Sequence, residues 1–270
     1  MKKAKIIAVA NHKGGVGKTT TVACIGSILS ERGKSVLLID LDGQANLTYS
    51  YIEQSPTSTI ADVLLGSKGM KVPVVNIEKN LDIIPSDIEL AYAEMQLISK
   101  ISRERILANI LERQSDGIPL VEKYDYILID CPPSLGILTL NALTAADEVI
   151  IPVVAEILPI KGLERIKEAI EEVRESINSS LKIKGILLTR WEPTKHAKEI
   201  ESGLREAMPS MVFSQKIRKN IRIAEAPAES KNVIKTAPSS HGAIDYQLFV
   251  NELIPGLFNK REIEKLRKMR

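Results

Sequence analysis

The stretch NHKGGVGKTT at residues 11–20 lies between an apolar run, residues 6–10, and an amphipathic segment that begins near Gly17. This order predicts a β-strand, a glycine loop and an α-helix. Glycines let consecutive backbone N–H groups turn toward one anion, and the N-terminus of the helix adds the positive end of its dipole. The stretch therefore predicts a phosphate-binding loop.

Each position of this loop has an expected role. In P-loops the lysine reaches the β- and γ-phosphates and the following Ser or Thr binds Mg²⁺, roles that fall here to Lys18 and Thr19. We expect nucleotide contacts from the whole loop, namely Lys13, Gly14, Gly15, Val16, Gly17, Lys18, Thr19 and Thr20. A glycine-rich turn without a ligand is the alternative, and the strand and helix on either side argue against it.

One position departs from the general P-loop pattern. His12 stands where that pattern has glycine, and Lys13, Gly14 and Gly15 follow it. This KGGxGKT form resembles the deviant Walker A loop of the ParA/MinD family of dimerising ATPases, and the resemblance extends over nearly the whole chain. It implies that Lys13 reaches across a nucleotide-sandwich dimer to the partner's phosphates, so Lys13 and Lys18 are candidate catalytic residues. A cation from outside the site stabilises charge on the phosphoryl oxygens. A solvated loop lysine is the alternative for Lys13.

Two later apolar runs end in aspartate. Residues 35–40 end in Asp40, and residues 124–130 end in Asp130, which Cys-Pro-Pro-Ser follows. Parallel strands deliver such residues to the sheet edge where the phosphate loop lies. In P-loop proteins an aspartate in the place of Asp130 holds Mg²⁺ directly or through water. We therefore predict a metal site formed by Thr19, Asp40 and Asp130.

The resemblance gives Asp42 a catalytic role. The family's sequence after this strand is D-x-D-P-Q-G-N, and its second aspartate, matched by Asp42, helps to position the attacking water. Here Gly43 replaces the proline and Ala45 replaces the glycine. These replacements keep both acids and leave open how stiff the loop is.

Strand-like and helix-like segments alternate along the rest of the chain. Further strands are expected at residues 80–86, 147–154 and 183–189, and helices at residues 60–65, 88–101, 103–121, 158–177 and 241–253. This alternation predicts an α/β fold, a doubly wound, mostly parallel sheet with helices on both faces. We expect one P-loop ATPase domain over residues 1–258 and a basic C-terminal tail over residues 259–270.

Composition limits the cellular compartment and the class of partner that we expect for the protein. The chain has 270 residues, 44% of them hydrophobic, and its two cysteines lie far apart and outside any metal-binding spacing. Because no disulfide framework, signal segment or membrane span is indicated, we expect a cytoplasmic protein. Residues 182–270 carry 18 Lys/Arg and 10 Asp/Glu, against 19 and 24 in residues 1–181. This asymmetry points to an anionic partner such as nucleic acid or a lipid surface, with solvated helix faces as the alternative.

The C-terminal third supplies the candidate partner surface. The run from Arg218 to Pro227 resembles the family's P-R-N-V-R-L-x-E-A-P segment, which implies that Asn220 contacts the base and that Arg222 contacts DNA. From residue 214 to residue 222 there are four cations and no acid. The candidate DNA-binding residues are Arg222, Arg218, Lys219, Lys216, Lys195 and Lys198.

The resemblance implies the function of a ParA/Soj-like partition ATPase. Such a protein uses ATP and Mg²⁺, forms a homodimer around ATP and binds double-stranded DNA without sequence preference. It hydrolyses ATP when a ParB-like DNA-binding partner stimulates it, in the cytoplasm and on the nucleoid. The signature lysine of the loop is residue 13, which indicates the small Soj-like type without an N-terminal helix-turn-helix domain.

Other classes of the same superfamily stay open. A MinD-like membrane-positioning ATPase needs a lipid-binding tail, but this tail has three apolar residues at helical spacing, Ile263, Leu266 and Met269, and no aromatic residue. We expect the tail to be a frayed, solvated helix without stable membrane association. An iron–sulfur carrier needs paired cysteines, a bacterial tyrosine kinase a C-terminal tyrosine cluster, and a small-molecule synthetase a substrate pocket. The sequence points to none of the three.

Overall fold

The computed structural model describes residues 3–66, 71–115, 117–155, 159–226 and 231–270. Within these ranges the strands are β1 (Lys5–Val9), β2 (Val36–Asp40), β3 (Val75–Glu78), β4 (Leu81–Ile84), β5 (Gln114–Ser115), β6 (Ile118–Pro119), β7 (Tyr126–Asp130), β8 (Glu148–Val154), β9 (Lys182–Trp191) and β10 (Val212–Arg218). The helices are α1 (Lys18–Glu31), α2 (Asn46–Tyr49), α3 (Ile60–Leu65), α4 (Glu89–Leu97), α5 (Ile106–Leu111), α6 (Leu120–Lys123), α7 (Ile137–Ala145), α8 (Pro159–Ser176), α9 (Lys195–Ala207), α10 (Ile221–Glu225), α11 (Val233–Thr236), α12 (His241–Leu253) and α13 (Lys260–Met269).

Apart from the small hairpin of β5 and β6, the strands form one sheet in the order β10-β9-β8-β1-β7-β2-β4-β3. Neighbouring strands pair in parallel except β3 and β4, which are antiparallel. Strand β1 lies between β7 and β8, and β2 follows β7. Because these strands run in one direction, the loops after β1, β2 and β7 meet at one edge of the sheet. The predicted doubly wound, mostly parallel sheet is confirmed.

Both faces of the sheet are covered by helices. In β2, Leu37 and Ile39 join the core under α3 to α9, whereas Val36 and Leu38 join the core under α1, α11, α12 and α13. All four side chains are fully buried. Burial on both faces explains why this strand reads as a continuous apolar run rather than an alternating one.

The single helix predicted over residues 103–121 is wrong. The segment instead forms a 3₁₀ turn, helix α5, the β5–β6 hairpin and helix α6. Within the segment the backbone is left-handed at Gly117, φ 86°, which a continuous right-handed helix does not allow. The Asn141 side chain of α7 also bonds this segment, accepting the N–H of Leu107 at 3.0 Å and donating to the carbonyl of Arg103 at 2.8 Å. The predicted start of the helix at residue 158 lies outside the described residues.

The C-terminal tail is a helix, α13, but it is docked rather than frayed. Asn259 and Glu262 form a reciprocal cap at its N-terminus. Glu262 also accepts a hydrogen bond from Arg32 at 2.7 Å, and Leu266 is only 8% exposed. The tail docks because its apolar side chains, Ile263 and Leu266, pack into the core beside α12. No helix in the described part of the chain combines the length and hydropathy needed to cross a bilayer.

Candidate active site

A cavity of about 490 Å³ opens beside the N-terminus of α1. Its walls include Asp42 from the loop after β2, Pro133 from the loop after β7, and the phosphate-loop residues Gly14, Gly15, Gly17, Lys18, Thr19 and Thr20. The three loops that the sequence singled out therefore meet at one cavity.

The phosphate loop is held in shape by the protein itself. Gly15 and Gly17 have φ values of 72° and 87°, which other residues rarely adopt. The Asn11 amide donates to a carbonyl of β8 at 2.7 Å, and its oxygen accepts the N–H of Lys13 at 3.0 Å. The Thr189 hydroxyl, at the end of β9, donates to the carbonyl of Val16 at 2.8 Å. Asn11 and Thr189 thus anchor the loop, a role that no local sequence pattern signals.

Lys18 is the buried cation of the site. Its side chain is 6% exposed, and Nζ donates to the carbonyl of Lys13 at 3.2 Å. Burial lowers the pKa of Lys18, while the nearby Asp130 and Asp42 carboxylates act in the opposite direction. The ammonium group therefore lies under the loop, where a phosphate oxygen can replace the carbonyl as its partner.

Asp130 is fully buried, and neither of its oxygens makes a hydrogen bond of normal geometry to a described residue. Burial and the neighbouring Asp40 raise the pKa of Asp130 well above its usual range, while the nearby Thr19 hydroxyl and the Lys18 ammonium oppose that shift. A buried carboxylate is costly unless a cation compensates it. The orphaned oxygens of Asp130, next to the Thr19 hydroxyl, fit Mg²⁺, which prefers oxygen ligands.

Asp40 is equally buried but serves the protein itself. One oxygen accepts the N–H of Asp42 at 3.0 Å, and the other accepts the N–H and hydroxyl of Thr48 at 2.9 and 2.8 Å. Burial raises the pKa of Asp40 to about 6. Asp40 holds the loop that carries Asp42, and its expected place in the metal site stays a prediction. Among the three predicted metal-site residues, Asp130 has the strongest structural support, because neither of its oxygens makes a hydrogen bond of normal geometry to a described residue.

Asp42 lies half-buried at the cavity. Its Oδ1 accepts the N–H of Gln44 at 3.0 Å, and its carbonyl accepts the Ser86 hydroxyl at 3.0 Å. Ala45 adopts a left-handed backbone, φ 52°, at the position where the family has glycine. The loop keeps this course because Asp40 and Ser86 hold it from below.

Helix α4 supports both strand-end loops, which the sequence analysis missed. The backbone of Gly43 lies against α4, where a Cβ would make an ordinary van der Waals contact of 3.6 Å with the main-chain nitrogen of Ala91. The carboxylate of Glu94 packs against Gly136 in the loop after β7 and would have to shift if residue 136 carried a Cβ. Helix α4 thus packs against both the loop that carries Asp42 and the loop that follows Asp130.

The far wall of the cavity comes from α10 and α11. Ile223, Ala226 and Val233 line it. Asn220, the expected base contact, is not among the lining residues and instead caps α10 by accepting the N–H of Arg222 at 2.9 Å. Pro227 of the matched segment lies outside the described residues. The apolar side chains of this wall suit the flat face of a nucleobase, and the base contact expected of Asn220 stays a prediction.

The candidate DNA-binding residues lie around the ends of β9 and β10, and two of them are tied into the fold. Arg218 makes two hydrogen bonds of 2.8 Å to the fully buried Asp245. The Lys216 ammonium lies 2.7 Å from Glu201 and 4.0 Å from the centre of the Trp191 ring. These two cations are mainly structural in this arrangement.

The other four candidates lie at the surface. Three of them form exposed ion pairs, namely Lys219 with Glu192 at 3.2 Å, Arg222 with Glu225 at 3.0 Å and Lys195 with Glu199 at 3.9 Å. Lys198 is exposed on α9. Exposed pairs of this kind are weak, so these side chains can exchange partners at little cost.

Known proteins are similar in sequence to this chain over most of its length. Residues 4–183 match the family described as AAA domain. The chain is 40% identical over 250 residues to the sporulation initiation inhibitor protein Soj of Bacillus subtilis (strain 168), which covers 90% of this chain and 95% of Soj. It is 36% identical over 254 residues to the chromosome partitioning protein ParA of Caulobacter vibrioides (strain NA1000 / CB15N), covering 93% and 94%. The chain belongs to the ParA/Soj family of P-loop ATPases.

A solved structure with a similar fold is consistent with membership of the ParA/Soj family. Cobyrinic acid a,c-diamide synthase from Mycobacterium smegmatis, with a bound ATP analogue and magnesium, superposes with a TM-score of 0.76 at 34% identity. The match covers 92% of this chain and 93% of that one. In that protein the same fold holds a nucleotide together with magnesium.

Proposed function

We propose that this chain is a DNA partition ATPase. It binds Mg-ATP, forms a homodimer around the nucleotide and binds double-stranded DNA without sequence preference. A ParB-like DNA-binding protein stimulates its hydrolysis of ATP, and the ATP-bound form resides on the nucleoid. The family membership supports the cellular role, and the cavity beside α1 supports the chemistry.

The observation that carries the proposal is the grouping of Lys18, Asp42 and Asp130: the first two line the cavity, and Asp130 is buried close enough to both to act on them electrostatically. Lys18 is a buried ammonium and Asp42 a half-buried carboxylate. Asp130 is a buried carboxylate whose oxygens make no hydrogen bond of normal geometry to the part of the chain that the structure describes. Phosphoryl transfer to water needs charge compensation, an acid that holds a metal ion and a group that orients the water. These three residues match the three needs.

The residues divide the work as follows. Lys18 and the loop N–H groups bind the β- and γ-phosphates, and Thr19 and Asp130 hold the magnesium ion. When bound, Mg²⁺ offsets the negative charge of the phosphate oxygens. Asp42 has one oxygen bonded to the N–H of Gln44, while the other accepts no hydrogen bond from any described residue. That second oxygen accepts a hydrogen bond from the attacking water and so orients it.

The proposed homodimer depends on Lys13. Its main-chain N–H is fixed by Asn11, and its side chain is exposed at the start of the loop. The resemblance of this loop to that of the dimerising ATPases supports a contact between Lys13 and a nucleotide held by a second copy of the chain. The second cation then stabilises the charge that develops during hydrolysis.

Three variants test the assignment of Lys18 and Asp42. We expect Lys18→Ala to lose nucleotide binding, because the buried ammonium is removed. Asp42→Ala should bind Mg-ATP as the wild type does and hydrolyse it about 10²-fold more slowly, since the water is no longer oriented. Glu53→Ala, which removes an exposed carboxylate in the same part of the chain, should change neither property. Binding is measured with a fluorescent ATP analogue and hydrolysis by phosphate release.

Two results would contradict the proposal. Hydrolysis by Asp42→Ala at the wild-type rate would remove the role of Asp42. Wild-type protein that turns over no ATP, alone or with DNA and the ParB-like protein of the same genome, would remove the function itself.

The similarity to cobyrinic acid a,c-diamide synthase supports a second candidate, an ATP-dependent amide synthesis. We rank it below partition because Soj and ParA are more similar in sequence, at 40% and 36% identity against 34%. ATP consumption that requires cobyrinic acid and an amide donor, and that DNA does not change, would reverse this order.

A further inference from the structure

Helix α13 carries cations that the rest of the fold does not use. Lys260, Arg261, Lys265, Arg267 and Lys268 are exposed, and their side chains make no ion pair or hydrogen bond with any described residue. Arg218 and Lys216, by contrast, are each tied to a carboxylate. An unpaired cation binds an outside anion without giving up an internal partner, so α13 offers the more available positive charge.

The docking of α13 decides which way these cations face. Leu266 is buried and Ile263 is packed against the core beside α12. With 3.6 residues per turn, positions 263, 266 and 270 lie on one side of the helix and positions 261, 265 and 268 on the opposite side. Arg261, Lys265 and Lys268, here named the α13 stripe, therefore point away from the protein.

Both ends of α13 are pinned, which keeps the stripe in place. Near the N-terminus, Glu262 bonds Arg32 at 2.7 Å. At the C-terminus, the Arg270 side chain lies 3.3 Å from the Asp245 carboxylate, and the Arg270 carbonyl accepts a hydrogen bond from Arg218 at 3.0 Å. The last turn of α13 thus meets the end of β10, where the surface cations of the candidate DNA-binding group begin.

We propose that the α13 stripe binds the phosphate backbone of double-stranded DNA and extends the surface that includes Arg222. The proposal rests on the DNA binding proposed above and adds a second contact region to it. The stripe spans about 10 Å along the helix at 1.5 Å per residue. B-DNA carries one charge per about 1.7 Å of axis, so the stripe can face several phosphates at once.

A lipid surface is the competing anionic partner, and the docking argues against it. Helices that bind membranes bury an apolar face among the acyl chains. In α13 that face is already occupied by the protein core. The remaining cations bind through charge alone, which suits a nucleic acid backbone.

The test compares two triple variants with the wild type. Arg261→Gln/Lys265→Gln/Lys268→Gln removes the stripe and keeps good helix formers. Lys71→Gln/Lys79→Gln/Lys182→Gln removes three exposed cations away from α13 and serves as the matched control. Each protein, with Mg²⁺ and a slowly hydrolysed ATP analogue, is titrated onto unrelated DNA duplexes over a salt series. Circular dichroism and the thermal shift caused by nucleotide verify that each variant is folded.

We expect the stripe variant to bind every duplex more weakly, with a log–log salt slope smaller by about 2.7, because each lost phosphate contact removes about 0.9. The control should keep the wild-type slope. Wild-type binding with an unchanged slope in the stripe variant would overturn this inference alone. A wild type that binds no DNA would overturn the proposed function as well. Wild-type sedimentation with anionic phosphatidylglycerol vesicles that the stripe variant loses would assign the stripe to lipid.

Discussion

Gly14 and Gly15 are both exposed, and a Cβ added to either would meet no other atom within 4 Å. They differ in backbone conformation, because φ is 72° at Gly15 and is not positive at Gly14. A left-handed backbone costs an L-residue about 1–2 kcal/mol. We predict that Gly15→Ala lowers the free energy of unfolding by about this amount and that Gly14→Ala does not lower it. Urea unfolding of the nucleotide-free protein measures both, and equal losses would contradict the prediction.

At the scale of single residues, local sequence motifs were enough to select candidate site residues that belong to such motifs. Lys18 follows from the glycine loop, and Asp130 follows from an apolar strand before Cys-Pro-Pro-Ser. The sequence did not predict which partner each side chain takes. Asp40 is bound by Thr48, eight residues away, and Arg218 by Asp245, 27 residues away. Such pairings are set by how elements pack, so both acquired structural tasks that the motifs do not record.

Among the elements, α13 allows a clean test of docking. Leu266 is 8% exposed and Met269, on the same helix, is 40% exposed. We predict that Leu266→Ala lowers the free energy of unfolding by about 2 kcal/mol, the lower end of the range for buried leucines, because α13 can separate without opening the sheet. Met269→Ala should change it by less than about 0.5 kcal/mol. Hydrogen exchange should quicken in α13 of the Leu266 variant, and exchange that stays at the wild-type rate there would contradict the docking.

The elements also differ in how well the sequence predicts them. Strands buried on both faces, such as β2 and β7, read as uninterrupted apolar runs and are predicted to within a residue or two. Strand β10 was missed because its exposed and half-buried positions include Ser, Gln and Lys. The helix predicted over residues 103–121 has suitable residues, but contacts with α7 and the left-handed backbone of Gly117 break it. Tertiary contacts, rather than helix propensity, decided that segment.

In the whole molecule, the order of the strands separates the candidate nucleotide site from the candidate DNA-binding surface. The phosphate loop and both acidic loops leave the central strands β1, β2 and β7. The candidate DNA-binding cations lie instead around the edge strand β10 and its neighbour β9, and on α13. Helices α10 and α11 stand between the two and line the nucleotide cavity. A nucleotide can therefore influence the cationic edge through α10, which also carries Arg222.

The proposed dimer gives the last prediction, which concerns the melting temperature of the whole protein. A ligand that binds only the folded state stabilises it by about 2.7 kcal/mol at 100 times its Kd. If ATP also joins two copies, mass action makes the melting temperature with Mg-ATP rise with protein concentration, while the nucleotide-free value stays constant. Lys13→Ala should keep the shift caused by ATP and lose its dependence on protein concentration. Lys79→Ala, an exposed lysine beside the far edge strand β3, should keep both. The measurement is a thermal melt over a hundredfold range of protein concentration, and a wild-type melting temperature that does not change over that range would rule out the ATP-driven dimer.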